Sequence, residues 1–188
     1  MKAILSLLAL LGLAASSAFG QTKEIESIQY SEITELNPSD TLFRIYKGEW
    51  YQMGVPCGYV NQKGDTIIPI GTYRYCIFDT VTTYAIVGDP SDFHAIDQKG
   101  NRLYEVYWFD NGPDYLKDGL FRIIRNNKIG YANAQGEIVI EPQFDCANAF
   151  ENGIAKVSFK CDLKQFGEHR KMKSSSWFYI DKTGIRIN

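Results

Sequence analysis

Gly130-Tyr131-Ala132-Asn133-Ala134-Gln135-Gly136, followed by Glu137-Ile138-Val139-Ile140-Glu141-Pro142, decides the fold. The stretch recurs along the chain. Gly58-Tyr59-Val60-Asn61-Gln62-Lys63-Gly64 and His94-Ala95-Ile96-Asp97-Gln98-Lys99-Gly100 precede it, and Phe178-Tyr179-Ile180-Asp181-Lys182-Thr183-Gly184 follows. Gly64, Gly100 and Gly136 are spaced by 36 and 36 residues, and Gly184 comes 48 later. Three positions before each glycine stands Asn61, Asp97, Asn133 or Asp181. An Asn or Asp side chain opening a type I turn bonds the backbone two residues on. A glycine three later takes the left-handed conformation and bulges into the return strand. Each unit therefore reads as a hairpin with a loop of three to four residues.

The return strands are Asp65–Pro69, Asn101–Tyr104, Glu137–Ile140 and Ile185–Ile187, with Pro69 and Pro142 expected to end the ladder by removing a donor. A further strand precedes each hairpin. Leu42-Phe43-Arg44-Ile45 and Leu120-Phe121-Arg122-Ile123 are matching tetrapeptides, and Thr83–Val87 and Ile154–Val157 fill the same slot. The expected fold is all-β: about four tandem, short antiparallel β-hairpin or three-stranded repeats over residues 40–188, stacked in a solenoid-like array. A β-propeller-like closure is the alternative.

These residues resemble the WG-repeat family of bacterial secreted proteins, whose pattern runs Trp-Gly-Tyr-Ile-Asp-x-x-Gly-x-x-Val-Ile-x-Pro-x-(Tyr/Phe)-Asp. Ile129-Gly130-Tyr131, Gly136, Ile138-Val139-Ile140-Glu141-Pro142-Gln143-Phe144-Asp145, Ala147–Phe150 and Gly153 follow it best. The signature Trp is replaced by Cys57, Phe93 and Ile129, and only Trp177 keeps it. The next position is His94 and Phe178 where the pattern has Gly. The resemblance implies a β-repeat fold and a binding or scaffolding module in place of an activity.

Composition agrees. Apolar residues make up 45% and charged residues 22% of 188, a globular balance. Twenty Lys and Arg against 22 Asp and Glu exclude a general nucleic-acid binder. There are 12 Tyr, 11 Phe and 3 Trp, which favour strands, and only two histidines, which disfavours acid–base and metal chemistry. Met1-Lys2, the apolar run Ala3–Ala15 and small residues up to Gly20 read as a signal peptide over residues 1–20. The run is too short to span a bilayer, and nothing after Gly20 is long and apolar enough to do so. The expected location is the periplasm, cell surface or extracellular space, with residues 21–39 as a leader or cap.

No Gly-x-Ser-x-Gly, Walker loop, GxGxxG or HExxH occurs, and neither a cofactor nor a metal is expected. His94 falls in a strand and His169 in a polar loop. Cys57, Cys76, Cys146 and Cys161 permit two disulfides, with the local pairings Cys57–Cys76 and Cys146–Cys161 the simplest; Cys57 could equally pack as a small hydrophobe in the Trp slot. Tyr104–Phe109 is the densest aromatic stretch. As one strand it puts Tyr104, Val106 and Trp108 on one face and Tyr107 and Phe109 on the other. Either both faces are core, or Tyr107, Trp108 and Phe109 contact a partner protein or stack on sugar rings. Asp110–Asp114 reads as a turn. Lys160–Ser176 holds the 12 residues inserted before the last anchor glycine and reads as an elongated hairpin or exposed loop. Its Lys164, Arg170, Lys171 and Lys173 offer a basic surface to an acidic partner or anionic head groups.

The functional expectation is a non-enzymatic, extracytoplasmic binding or scaffolding protein making protein–protein contacts in the cell envelope. A glycan-binding surface protein using exposed Tyr and Trp is the alternative. A carboxylate-based hydrolase is remote, because no paired acids stand at a telling spacing.

Overall fold

The structure, a computed structural model, describes residues 41–49, 54–166 and 169–187. The signal peptide and leader expected over 1–39 lie outside them. The described residues are all-β, without helix, and their sheets are antiparallel. No sheet closes into a barrel.

Four three-stranded meanders carry the chain. The first comprises β1 (Leu42–Tyr46), β2 (Cys57–Asn61) and β3 (Thr66–Tyr73), followed by short crossing strands β4 (Tyr75–Cys76) and β5 (Thr80–Val81). The second comprises β6 (Tyr84–Asp89), β7 (Asp92–Asp97) and β8 (Arg102–Val106). A small hairpin, β9 (Trp108–Phe109) and β10 (Gly112–Pro113), leads to the third: β11 (Leu120–Arg125), β12 (Lys128–Asn133) and β13 (Ile138–Phe144). After β14 (Cys146–Ala147), the fourth uses β15 (Ile154–Ser158), β18 (Phe178–Asp181) and β19 (Arg186–Ile187), interrupted by the hairpin β16 (Asp162–Phe166) and β17 (His169–Lys173). His169 thus opens a strand and does not sit in a loop.

The register repeats. The first residue of each leading strand faces the Asx of the turn: Leu42↔Asn61, Tyr84↔Asp97, Leu120↔Asn133 and Ile154↔Asp181. All four turns close alike. The Asx Oδ1 accepts from the N–H two and four residues on: Lys63 and Asp65, Lys99 and Asn101, Gln135 and Glu137, Thr183 and Ile185. The anchor glycines share φ of 85°, 84°, 81° and 86°, a region closed to most side chains. At the last turn the Thr183 hydroxyl and three backbone N–H groups hold the Asp181 carboxyl below the usual range.

The return strands differ from expectation at the prolines. Pro69 and Pro142 lie inside β3 and β13. The ladder does not stop there; it bulges. Opposite the step from Tyr59 to Cys57, β3 runs from Ile68 to Tyr73, and opposite Tyr131 to Ile129, β13 runs from Ile140 to Phe144. The bulge presses the return backbone onto the glycine of the Gly-Tyr pair. A Cβ on Gly58 would sit 2.3 Å from the Ile68 carbonyl oxygen, and one on Gly130 would sit 2.4 Å from that of Ile140. In the second meander His94 replaces glycine, and its return strand runs in register past it, His94↔Glu105.

Meanders do not all keep separate sheets. β8 pairs β11, so the second and third merge into the order β13-β12-β11-β8-β7-β6-β4, with the crossing strand β4 on the far edge. Three core clusters then join consecutive meanders. Leu42, Tyr59 and Ile68 of the first pack with Ala85, Val87 and Ile96 of the second. Tyr84, Ile86 and Tyr104 of the second meet Phe121, Ile123 and Ala132 of the third. Leu120, Tyr131 and Ile140 of the third meet Ala155, Val157 and Ile180 of the fourth. Tyr59 and Tyr131 are wholly buried, each worth about 1.5–3 kcal/mol of apolar burial on the scale of a large side chain.

Candidate binding site

The Tyr104–Phe109 stretch is not one strand. β8 ends at Val106, Tyr107 bridges, and β9 begins at Trp108. Tyr104 and Val106 are buried, while Trp108 turns outward with Phe109. The alternation that placed Trp108 with Tyr104 is broken at Tyr107. Asp110 and Asn111 explain the departure. Both adopt positive φ, 47° and 69°, the geometry of a two-residue hairpin turn that Asn and Asp tolerate. The chain therefore doubles back, and Gly112-Pro113 pairs with Trp108-Phe109. Only the centre of Asp110–Asp114 is turn.

The hairpin exposes an aromatic side chain on each of its faces, because Trp108 and Phe109 are consecutive in β9. Trp108 is 41% exposed, Phe109 39%, Tyr115 48% and Leu116 50%. Phe109 and Tyr115 meet edge-to-face at 5.6 Å, and Trp108 leans on the buried Phe93 at 5.6 Å. Tyr107 is half-buried and packs against the cluster shared by the third and fourth meanders. The arrangement offers flat apolar rings at a rim of Asp110 and Asn111, suited to stacking and to protein contacts.

A buried ion pair fixes the base. Arg122 donates from Nε to Asp114 Oδ2 at 2.8 Å and from Nη2 to Oδ1 at 2.6 Å, and its backbone N–H donates to Oδ2 at 2.9 Å. The guanidinium lies 4.1 Å from the Tyr107 ring centre and 5.2 Å from that of Phe109. Burial alone would lower the Arg122 pKa, but the hydrogen bonds and charge of Asp114 outweigh it and raise it. Backbone bonds from Tyr107 N–H to the Arg122 carbonyl and from Asp114 N–H to the Tyr107 carbonyl complete the clamp. Asp114, Tyr115, Leu116 and Arg122 were not singled out from the sequence. A basic residue inside the apolar Leu-Phe-Arg-Ile strand is the one signal that a buried anion had to exist nearby.

The basic insertion forms its own hairpin, β16–β17, in the register Asp162↔Lys173, Lys164↔Lys171 and Gln165↔Arg170. Lys171 and Lys173 are exposed; the side chains of Lys164 and Arg170 lie outside the described residues. Exposed Phe159 stacks between Phe144 and Phe178, 5.2 Å from each. This hairpin and β9–β10 are separate two-stranded sheets. Cys57 bonds Cys76, and Cys146 bonds Cys161. The first ties the first meander to the segment leaving it, and the second ties the segment entering the fourth meander to the start of that meander's insertion. Among the described residues no three His, Cys, Asp or Glu side chains converge as metal ligands, and no helix is long and apolar enough to cross a membrane.

Residues 129–160 match the family model described as WG containing repeat. The match begins at β12 and runs past β15, so the sequence unit is the second and third strands of one meander plus the first strand of the next. No curated protein and no solved structure matches the chain.

Proposed function

We propose that this chain is a non-enzymatic, exported binding or scaffolding protein whose WG-like repeats stack as an open, solenoid-like array. The exposed aromatics of β9–β10 and of the segment that follows it are the observation that carries the reading. A hairpin with two left-handed residues, held by a buried bidentate ion pair, displays Trp108 and Phe109 to solvent, and Tyr115 and Leu116 are exposed just after it. Clustered exposed aromatics of this kind are the anchors of protein interfaces. The signal-like segment before Gln21 supports an envelope or extracellular setting.

The test is capture from envelope extract with the wild-type chain and a Trp108→Ala/Phe109→Ala variant as bait. The variant should keep the wild-type melting temperature and lose a protein that the wild type retains. Equal retention by both, or no specific protein at all, would sink the reading. Glycan binding is the second reading, favoured by exposed rings beside polar Asp110 and Asn111. A glycan array with hits lost on Trp108→Ala would select it.

A further inference from the structure

The outward face of the fourth meander is built like two faces that the fold covers. In the first meander Arg44 stands opposite Tyr59, in the third Arg122 opposite Tyr131, and in the fourth Lys156 opposite Tyr179. The leading residue is Leu42, Leu120 or Ile154 in the same register. On the first two faces an extended segment crosses this cation–tyrosine pair. Arg44 donates to the Cys76 carbonyl at 3.0 Å and pairs with the Asp79 carboxylate at 2.6 Å, while the Tyr59 hydroxyl donates to the Phe78 carbonyl at 2.9 Å. On the third meander Arg122 reaches the Ala147 carbonyl at 3.3 Å and the Tyr131 hydroxyl donates to the Asn148 carbonyl at 2.7 Å, while the carboxylate on Arg122, Asp114 at 2.6 Å, comes from the segment before β11.

The fourth face has the same groups, and among the described residues no segment bonds across them. Tyr179 is 45% exposed and Ile154 38%, where Tyr59 and Tyr131 are at 0%. Lys156 rests 5.4 Å over the Trp177 ring, and among the described residues no carboxylate pairs with it. Trp177 occupies the slot of Cys57 and Ile129, and Ile187 lies opposite Tyr179 on the edge strand. The local charge fits an anion: residues 154–188 hold eight Lys and Arg against three Asp and Glu, in a chain with an acidic excess overall.

We propose that Ile154, Lys156, Trp177, Tyr179 and Ile187 form a binding face for an extended, acidic polypeptide segment of a partner chain. The segment lays one carboxylate on Lys156, presents a backbone carbonyl to the Tyr179 hydroxyl, and places apolar side chains on Ile154 and Trp177. This is the chemistry by which Cys76–Asp79 crosses the first meander. The surface is distinct from β9–β10 and does not depend on it.

A synthetic peptide of the chain's own crossing segment, Tyr75–Val81 with Cys76→Ser, is the probe. It is titrated into the full-length protein by calorimetry, up to about 1 mM. Saturable binding is expected. Asp79→Asn in the peptide and Lys156→Gln in the protein should each weaken it about tenfold, the scale of a charge-assisted hydrogen bond. The two changes together should cost little more than either alone. Tyr179→Phe, which keeps the ring, should weaken binding about threefold. Unchanged melting temperatures establish that both variants fold. Absence of binding, or affinity indifferent to Lys156→Gln and Asp79→Asn, overturns the proposal. A dimer of the wild-type chain that Tyr179→Asp dissolves assigns the face to a second copy and overturns it too.

Discussion

Two buried polar sites, the Arg122–Asp114 pair and His94, hold opposite electrostatic positions in this fold. Arg122 and Asp114 are both buried and satisfy each other bidentately, so neither tolerates loss of its partner. Asp114→Ala should destabilise by about 3–5 kcal/mol, because it strands a buried guanidinium. Chemical denaturation measures this, and a loss under 1 kcal/mol would show that the pair is not the clamp of the aromatic hairpin. His94 is buried without a full partner: its Nδ1 accepts no hydrogen bond and lies 3.7 Å from the Asp92 carboxylate. Burial, helped by Arg102 and opposed by Asp92, pushes its pKa below the ordinary 6.5. The neutral ring is therefore the one the fold prefers. Its contribution is complete above pH 6.5 and is lost as pH falls from there through the folded-state value. The melting temperature should drop more steeply on acidification below that point for the wild type than for His94→Phe; parallel curves would refute this.

At the scale of the element, the bulged return strand explains why glycine precedes tyrosine in some copies and not in others. Gly58 and Gly130 face a backbone that Pro69 and Pro142 help to bend inward, whereas His94 faces a strand in regular register. Gly130→Ala should cost on the order of 3 kcal/mol, since a Cβ would overlap main-chain atoms that cannot step aside. The opposite change, His94→Gly, removes a partly packed ring without relieving any clash and should not stabilise. Paired thermal melts separate the two. The turns themselves were legible in the sequence, because an Asx–Gly hairpin is decided within four residues. The bulges were not: the missing donor of proline predicted an end, but partners on both sides of it let the ladder resume. Trp108 was misplaced for a related reason. Strand alternation was extended through Tyr107, where Asp110 and Asn111, further on, fold the chain back.

Over the whole molecule, most of the core lies between meanders; among the described residues only Phe43, Ile45 and Val60 form a cluster within one. Three of the clusters are shared by neighbours, and the crossing segments are pinned by Arg44 and Tyr59 in one place and by Arg122 and Tyr131 in another. Burial raises the pKa of both tyrosines, so they remain hydroxyl donors at all physiological pH. The disulfides reinforce the same crossings. Cys57–Cys76 spans 19 residues of sequence and Cys146–Cys161 spans 15. Replacing either pair by serine should cost about 3 kcal/mol if the loss is mainly unfolded-chain entropy. Equal stability of oxidised and reduced protein would exclude that. The sequence alone determined the number of repeats, their turns and their strand order, because hairpins are short-range and their Asx, Gly and apolar alternation act over a few residues. The tertiary structure decided which faces are covered. It alone joined the second and third meanders, set Arg122 on Asp114, turned Trp108 outward and left Tyr179 open, because burial depends on what packs across from a strand, and that neighbour lies a whole repeat away.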